Sequence, residues 1–197
     1  SIEATYAHVP GLKVVLPSTP ADAAGLLRSA IKDPDPVLFL EHKRTYRLIK
    51  GEVPAEPLDV PIGVADVKRE GRDLTVIAYG LMTHACLEAA EFLQEREGAS
   101  AEVMDARTLA PLDRSTILAS VRKTGKAMVV YEDNRSYGAG AEIVATIAEE
   151  LLFDLDGPLV RVAGPDSPAM PFSTALEHAF MPDAERVYGA MRELAAF

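Results

Sequence analysis

Residues 13–41 read KVVLPSTPADAAGLLRSAIKDPDPVLFLE, and the order of signals in this stretch decides the fold class. Lys13–Leu16 is a short, β-branched run closed by Pro17, the pattern of a buried strand. Ser18-Thr19-Pro20 then supplies a hydroxyl cap and a proline suited to the first helical position. The helix it opens carries Ala24, Leu27 and Ile31 as an apolar stripe at helical spacing. Pro34 disfavours helical geometry at Asp33, so the helix ends near Lys32. Val37–Glu41 (VLFLE) is a second strand. Strand, helix and strand in this order form the unit of a parallel sheet.

Working outward, Gly51, Pro54, Pro57, Pro61 and Gly63 interrupt the pattern and predict a linker over residues 51–66. The alternation then resumes. Leu74–Tyr79 is a strand, followed by a helix from about Thr83 to a glycine cap at Gly98. Ala101–Met104 is a strand, and Asp113 caps a helix that ends near Gly125. Ala127–Tyr131 is a strand, residues 141–152 a helix, Leu159–Val162 a strand, and Asp183 caps a last helix reaching about Ala195. Strands of four to six residues between longer helices predict a three-layer α/β fold with a mostly parallel sheet.

Composition narrows the class. The chain has 197 residues, 48% hydrophobic and 25% charged, long enough for one or two folded units with sizeable cores and unlike a disordered or low-complexity segment. The net charge of −10 argues against nucleic acid or an anionic membrane as a main partner. Residues 1–50 carry seven Lys/Arg against five Asp/Glu, whereas residues 51–197 carry thirteen against twenty-five. That shift falls on the predicted linker. Cys86 is the single cysteine, so no internal disulfide forms, which fits a reducing, cytoplasmic setting. Apolar runs such as Val37–Leu40 and Val76–Ala78 are too short to span a bilayer, and no secretory signal opens the chain.

Several local patterns bear on chemistry. His8, His42, His84 and His178 are scattered, pair with no carboxylate at useful spacing, and read as structural. Zinc signatures and a GxSxG nucleophile elbow are absent. Cys86 shares a helical face with Ala89, Ala90 and Leu93 and reads as a core residue. Gly138-Ala139-Gly140 precedes a helix but lacks the full GxGxxG spacing of a phosphate-binding turn. Glu132-Asp133-Asn134-Arg135 lies at the carboxyl end of a strand, where open α/β sheets place function; a solvated, well-capped loop explains the same residues and is the preferred reading. At the end of the first helix, the unpartnered carbonyls of Ala30 and Ile31 meet the carboxylates of Asp33 and Asp35. Converging oxygen ligands suit a hard cation, and a Pro-punctuated turn is the competing explanation.

Three blocks, taken together, resemble one family. They are Pro10–Val15 with Pro17–Pro20 and Leu26–Glu41; then Thr108–Asp113, Lys123–Gly125 and Gly138–Ile143; then Arg161–Gly164 with Pro168–Pro171. The chain is similar throughout to the later part of the beta subunit of thiamine-diphosphate-dependent 2-oxo acid dehydrogenases, pyruvate or branched-chain type, in the transketolase-like superfamily. The resemblance implies that residues 1–50 end a pyrimidine-binding domain, residues 51–66 link, and residues 67–197 form a transketolase C-terminal domain. It implies decarboxylation of a 2-oxo acid on thiamine diphosphate with Mg2+, and acyl transfer to a lipoyl arm. It places the cofactor-activating glutamate, the ring-contacting aromatics and an active-site histidine before Ser1. No catalytic or cofactor-binding residue is therefore expected here, and the stretch alone is expected to be inactive.

The resemblance further implies a potassium site matching Ala30, Ile31, Asp33 and Asp35, with Asp35 where many relatives carry asparagine. It implies a cytoplasmic heterotetramer within a multienzyme complex, the partners being an alpha subunit, a second beta subunit and the basic subunit-binding domain of the acyltransferase core. Residues 149–197, with nine Asp/Glu against three Arg, would form the acidic side of that docking. Lys43–Arg47 looks closer to branched-chain relatives and Gly138–Ile143 to pyruvate relatives, so the substrate stays open. Two alternatives stand beside this reading. One is a fragment of another transketolase-like synthase; the other is a stand-alone Rossmann-like binding module, which a natural start at Ser1 would favour.

Overall fold

The computed structural model describes all 197 residues. The chain forms two sheets, the first completed by a strand that lies among those of the second. The first unit comprises α1 (Glu3–Ala7), β1 (Lys13–Val15), α2 (Pro20–Lys32), β2 (Val37–Phe39) and α3 (Thr45–Leu48). The second comprises β3 (Asp66–Arg69), β4 (Leu74–Ala78), α4 (Leu81–Glu97), β5 (Ala101–Asp105), β6 (Thr108–Ala110), α5 (Arg114–Thr124), β7 (Ala127–Asn134), α6 (Ala139–Leu151), β8 (Val160–Gly164), α7 (Thr174–Phe180) and α8 (Ala184–Ala195). The larger sheet has the order β3-β5-β4-β7-β8, parallel except for β3. The smaller has the order β2-β1-β6, in which β1 and β2 run parallel and β6 antiparallel. The predicted β-α-β unit and the mostly parallel sheet are both present.

The larger sheet is buried on both faces, which explains why β4 (LTVIA) shows no apolar–polar alternation. On one face, α4 and α8 pack through residues such as Leu93, Val187 and Met191. On the other, Ile117 and Val121 of α5 meet Ile143 and Ile147 of α6. Asp113 caps α5 by accepting the Thr116 N–H, and Asp183 caps α8 by accepting the Arg186 N–H. Gly98 and Gly125 close α4 and α5 at φ +73° and +69°, a left-handed backbone that glycine adopts without strain.

Three expectations need correction. First, α4 starts at Leu81 rather than Thr83, with Gly80 at its cap position. Second, β3 and β6 are strands that the sequence does not announce, because DVKR and TLA are short and carry no sustained apolar alternation. Third, an apolar helical stripe ordinarily faces a core, yet Leu27 is 46% and Ile31 77% exposed. The face of α2 that packs inward is set by Asp22, Gly25 and Leu26.

Residues 51–65 contain no helix or strand but are tied down along their second half. The Val60 N–H donates to the Gly25 carbonyl at 3.2 Å, and Ser29 Oγ donates to the Val60 carbonyl at 2.6 Å. Farther on, the Gly63 N–H reaches Thr108 Oγ1 at 3.0 Å and the Ala65 N–H reaches Asp113 Oδ2 at 2.9 Å. This segment is a strap from α2 past β6 to the start of α5.

Candidate functional site

In chain order the four parallel strands stand as second, first, third, fourth, so the connections reverse direction between β4 and β7. Open α/β sheets bind ligands in the crevice beyond the strand ends at such a reversal. At the carboxyl end of β7 and beyond that of β8 lies a cavity of about 570 Å3, lined among others by Glu3, His42, Glu132, Asp133, Met170 and Phe180. Part of its floor comes from the first unit. Glu3 on α1 is buried, and Tyr79, just past β4, donates its hydroxyl to Glu3 Oε1 at 3.2 Å. Burial raises the Glu3 carboxyl above the usual glutamate range and pushes the Tyr79 phenol well above its own.

His42 Nε2 lies 3.0 Å from Glu132 Oε2, while Ser1 Oγ donates to Glu132 Oε1 at 2.8 Å. Burial pushes the Glu132 carboxyl up, but the bonds from His42 and Ser1 outweigh it and hold it below its ordinary value. This pair joins a histidine and a carboxylate that no sequence spacing links. The partners are ninety residues apart, so spacing could not reveal them. One signal was available: both His42 and Glu132 lie at or just past the carboxyl end of a predicted strand.

Gly138 and Gly140 do not form a phosphate cradle. A Cβ at Gly140 would sit 2.1 Å from Tyr131 Cε1, and one at Gly138 would sit 2.5 Å from Tyr131 Cε2. These glycines let the first turn of α6 lie against the Tyr131 ring. Arg135, in the same loop, is tied to β8: its N–H donates to the Gly164 carbonyl and its guanidinium to the Arg161 carbonyl.

A second polar cluster crosses between the two units. Asp22, at the start of α2, accepts from Arg107 at 2.8 Å and from Lys68 at 2.5 Å. Burial raises the Asp22 carboxyl, but these cations and Thr19 outweigh it and leave it below its usual range. The Arg107 guanidinium also donates to the Val64 and Ala65 carbonyls of the strap. Ser18 donates its hydroxyl to the buried Asp105, whose other oxygen accepts the Arg107 N–H at 3.0 Å.

At the end of α2, Pro34 has no N–H to offer the Ala30 carbonyl, and the Asp35 N–H goes to Asp33 Oδ1 at 3.0 Å instead. The carbonyl donors expected there are therefore available. The carboxylates are turned elsewhere: Lys13 Nζ lies 2.7 Å from Asp33 and 3.1 Å from Asp35. This ammonium holds the Asp33 carboxyl below its ordinary range. No three His, Cys, Asp or Glu side chains converge anywhere as a metal-binding group. Cys86 is fully buried in the core, which pushes its thiol pKa up.

A family profile described as the transketolase C-terminal domain matches residues 63–187. The chain belongs to the transketolase C-terminal domain family. A second profile, the transketolase pyrimidine-binding domain, matches residues 1–49. Across all 197 residues the chain is 56% identical to the 2-oxoisovalerate dehydrogenase subunit beta of Bacillus subtilis (strain 168), and 50% identical to a pyruvate dehydrogenase beta subunit of the same organism. Each alignment covers 100% of this chain and 60% of the relative, so the chain spans about three-fifths of those subunits. Among solved structures, a split-gene transketolase described as an inactive beta4 tetramer superposes with a TM-score of 0.81 at 28% identity, over 98% of this chain and 61% of that one. No helix is long and apolar enough to cross a membrane.

Proposed function

We propose that this chain is the later part of the beta subunit of a cytoplasmic, thiamine-diphosphate-dependent 2-oxo acid dehydrogenase. Acting with an alpha subunit and a second beta subunit, that enzyme decarboxylates a 2-oxo acid and passes the acyl group to the lipoyl arm of an acyltransferase. The observation that carries this reading is 56% identity over the entire chain to a 2-oxoisovalerate dehydrogenase beta subunit. The lower figure of 50% against a pyruvate relative favours a branched-chain substrate.

Within that enzyme, residues 1–50 complete the pyrimidine-binding unit, residues 51–66 link, and residues 67–197 supply the C-terminal unit. When bound, thiamine diphosphate with Mg2+ supplies the electron sink for decarboxylation. This chain contributes the scaffold behind it. The strap and the Asp22–Arg107–Lys68 cluster tie the first unit to the second.

The helix end at Ala30, Ile31, Asp33 and Asp35 is the place for a potassium ion. Its support is the set of free helix-end carbonyls, because Lys13 already balances both carboxylates. The acidic face of residues 149–197 suits a basic docking domain of the acyltransferase core.

The test is reconstitution of the whole enzyme with its alpha subunit. Turnover of a branched-chain 2-oxo acid should exceed that of pyruvate by roughly tenfold or more in kcat/KM, a difference of about 1.4 kcal/mol in transition-state binding. Equal turnover, or activity on neither acid, contradicts the reading.

A further inference from the structure

The charge cluster between the units is unevenly matched. Its two cations, Lys68 and Arg107, both bond to Asp22, and Lys68 also lies 2.7 Å from Asp66. Asp105 receives neither. Its two partners are neutral donors, the Ser18 hydroxyl across the seam and the Arg107 N–H two residues along. Its side chain lies in a residue with no exposed surface, on a strand flanked by β3 and β4. A carboxylate in such a place lacks both water and a counter-ion.

We propose that Asp105 is a proton-sensitive latch on the seam between residues 1–49 and the five-stranded sheet. The seam is held most firmly when this carboxyl carries its proton and loosens when it is ionised. The groups facing it from each neighbouring element are few. They are Asp22 on α2, Lys68 and Asp66 on β3, Arg107 in the turn after β5, and the Ser18 hydroxyl. His84 on α4 stands one step away, its Nε2 2.8 Å from the Ser18 carbonyl. With Asp105 ionised, the cluster holds three carboxylates against two cations. With Asp105 protonated, charge is balanced, and the carboxyl still bonds the Ser18 oxygen.

Burial outweighs the Ser18, Arg107 and Lys68 contributions and raises the Asp105 carboxyl to about 6, and Asp22 adds to the rise. Opening the seam hydrates the group and returns it toward the ordinary aspartate value, about 3.9. Below that value both states carry the proton, and the latch is fully closed. As pH rises toward 6, the open state releases its proton first and gains over the closed state. The gap of about two pH units caps the change in the opening constant at roughly 100-fold. Above about pH 7 the effect levels off.

Native-state hydrogen exchange on the protein in its natural assembly reads this directly, without substrate or cofactor. The probes are the seam amides of Leu16, bonded to Arg107, and Val60, bonded to Gly25. After correction for intrinsic rates, their protection should fall by one to two orders of magnitude between about pH 4.5 and 7.5. Amides of β4 and β7 should keep theirs. Asp105→Asn should flatten the seam profile. Ser18→Ala should keep the profile but shift its midpoint upward, because the ionised form loses a donor. A flat profile in the unaltered protein, an unchanged slope in Asp105→Asn, or a midpoint in Ser18→Ala that stays or falls overturns the proposal. Because no turnover is measured, a failed latch and a failed dehydrogenase reading give different results.

Discussion

The two sheets of this chain are built to different standards of completeness. The five-stranded sheet is covered on both faces, so β4 and β5 are buried along their whole length. The three-stranded sheet has an open edge at β2, whose residues are all half-buried, and its one long helix leaves Leu27 and Ile31 outside. Its third strand, β6, is donated by the second unit. The difference teaches where stability resides. The second unit has its own core, whereas the first depends on the second through β6, the strap and the Asp22 cluster.

The hardest test of that contrast is a cavity in the complete unit. Leu93 on α4 is fully buried between β4, β5 and α8. Leu93→Ala should cost about 2–5 kcal/mol, the transfer term plus an unfilled cavity. Thermal unfolding should shift down by roughly 10 °C for a unit of this size. A loss below about 1 kcal/mol would mean the core collapses around the gap, and the contrast in packing would be smaller than it looks.

A middle-sized effect is expected where the strap crosses α2. A Cβ at Gly25 would meet Val60 Cγ2 at 2.4 Å and the Val60 backbone nitrogen at 3.1 Å. Gly25→Val should lift the strap, lose the Val60–Gly25 bond and cost about 1–3 kcal/mol. Limited proteolysis should then cut within residues 51–60 first, while the five-stranded sheet stays intact. Cleavage no faster than in the unaltered chain would show that the strap carries no tension between the units.

The same contrast separates what the sequence makes legible from what it hides. The second unit was readable because its signals are local: Asp113, Gly125, Gly98 and Asp183 mark helix ends by chemistry confined to a few residues. The strands of the parallel sheet were readable as apolar runs bounded by turns. The edge strands β3 and β6 were not, since both are held mainly by a neighbour rather than by their own pattern. The inward face of α2 departs from its apolar stripe for a related reason. Its stripe of Ala24, Leu27 and Ile31 has the right period, but Gly25 sits where the strap must approach closely, and that fixes the inward face. The crevice pair His42–Glu132 and the cluster at Asp22 depend on partners 46 to 90 residues apart, which no spacing rule reaches. The cation turn was legible as a turn; the role of Lys13 in it was not, because a strand residue twenty positions earlier shows no link to it in the sequence.

The smallest expected effect sharpens the comparison most. Ile31 is 77% exposed on α2, near the exposed Leu27, and burial of its side chain contributes little to this chain. Ile31→Ser should therefore leave unfolding within about 0.5 kcal/mol of the unaltered chain, against the several lost at Leu93. Serine is a slightly poorer helix former than isoleucine or near it, a difference of a few tenths of a kcal/mol that stays inside that window. What should change is self-association. Leu27, Ile31, Val53 and Leu58 are all exposed, and Val53 and Leu58 line a small groove with Ala24 and Arg28 of the same helix. Exposed apolar area of this kind promotes contacts between copies. Light scattering of the 197-residue chain across a concentration series should show less association for Ile31→Ser, with Tm unmoved. A Tm drop comparable to that of Leu93→Ala would mean that α2 buries its stripe in solution, and that the first unit is more complete than its exposed face implies.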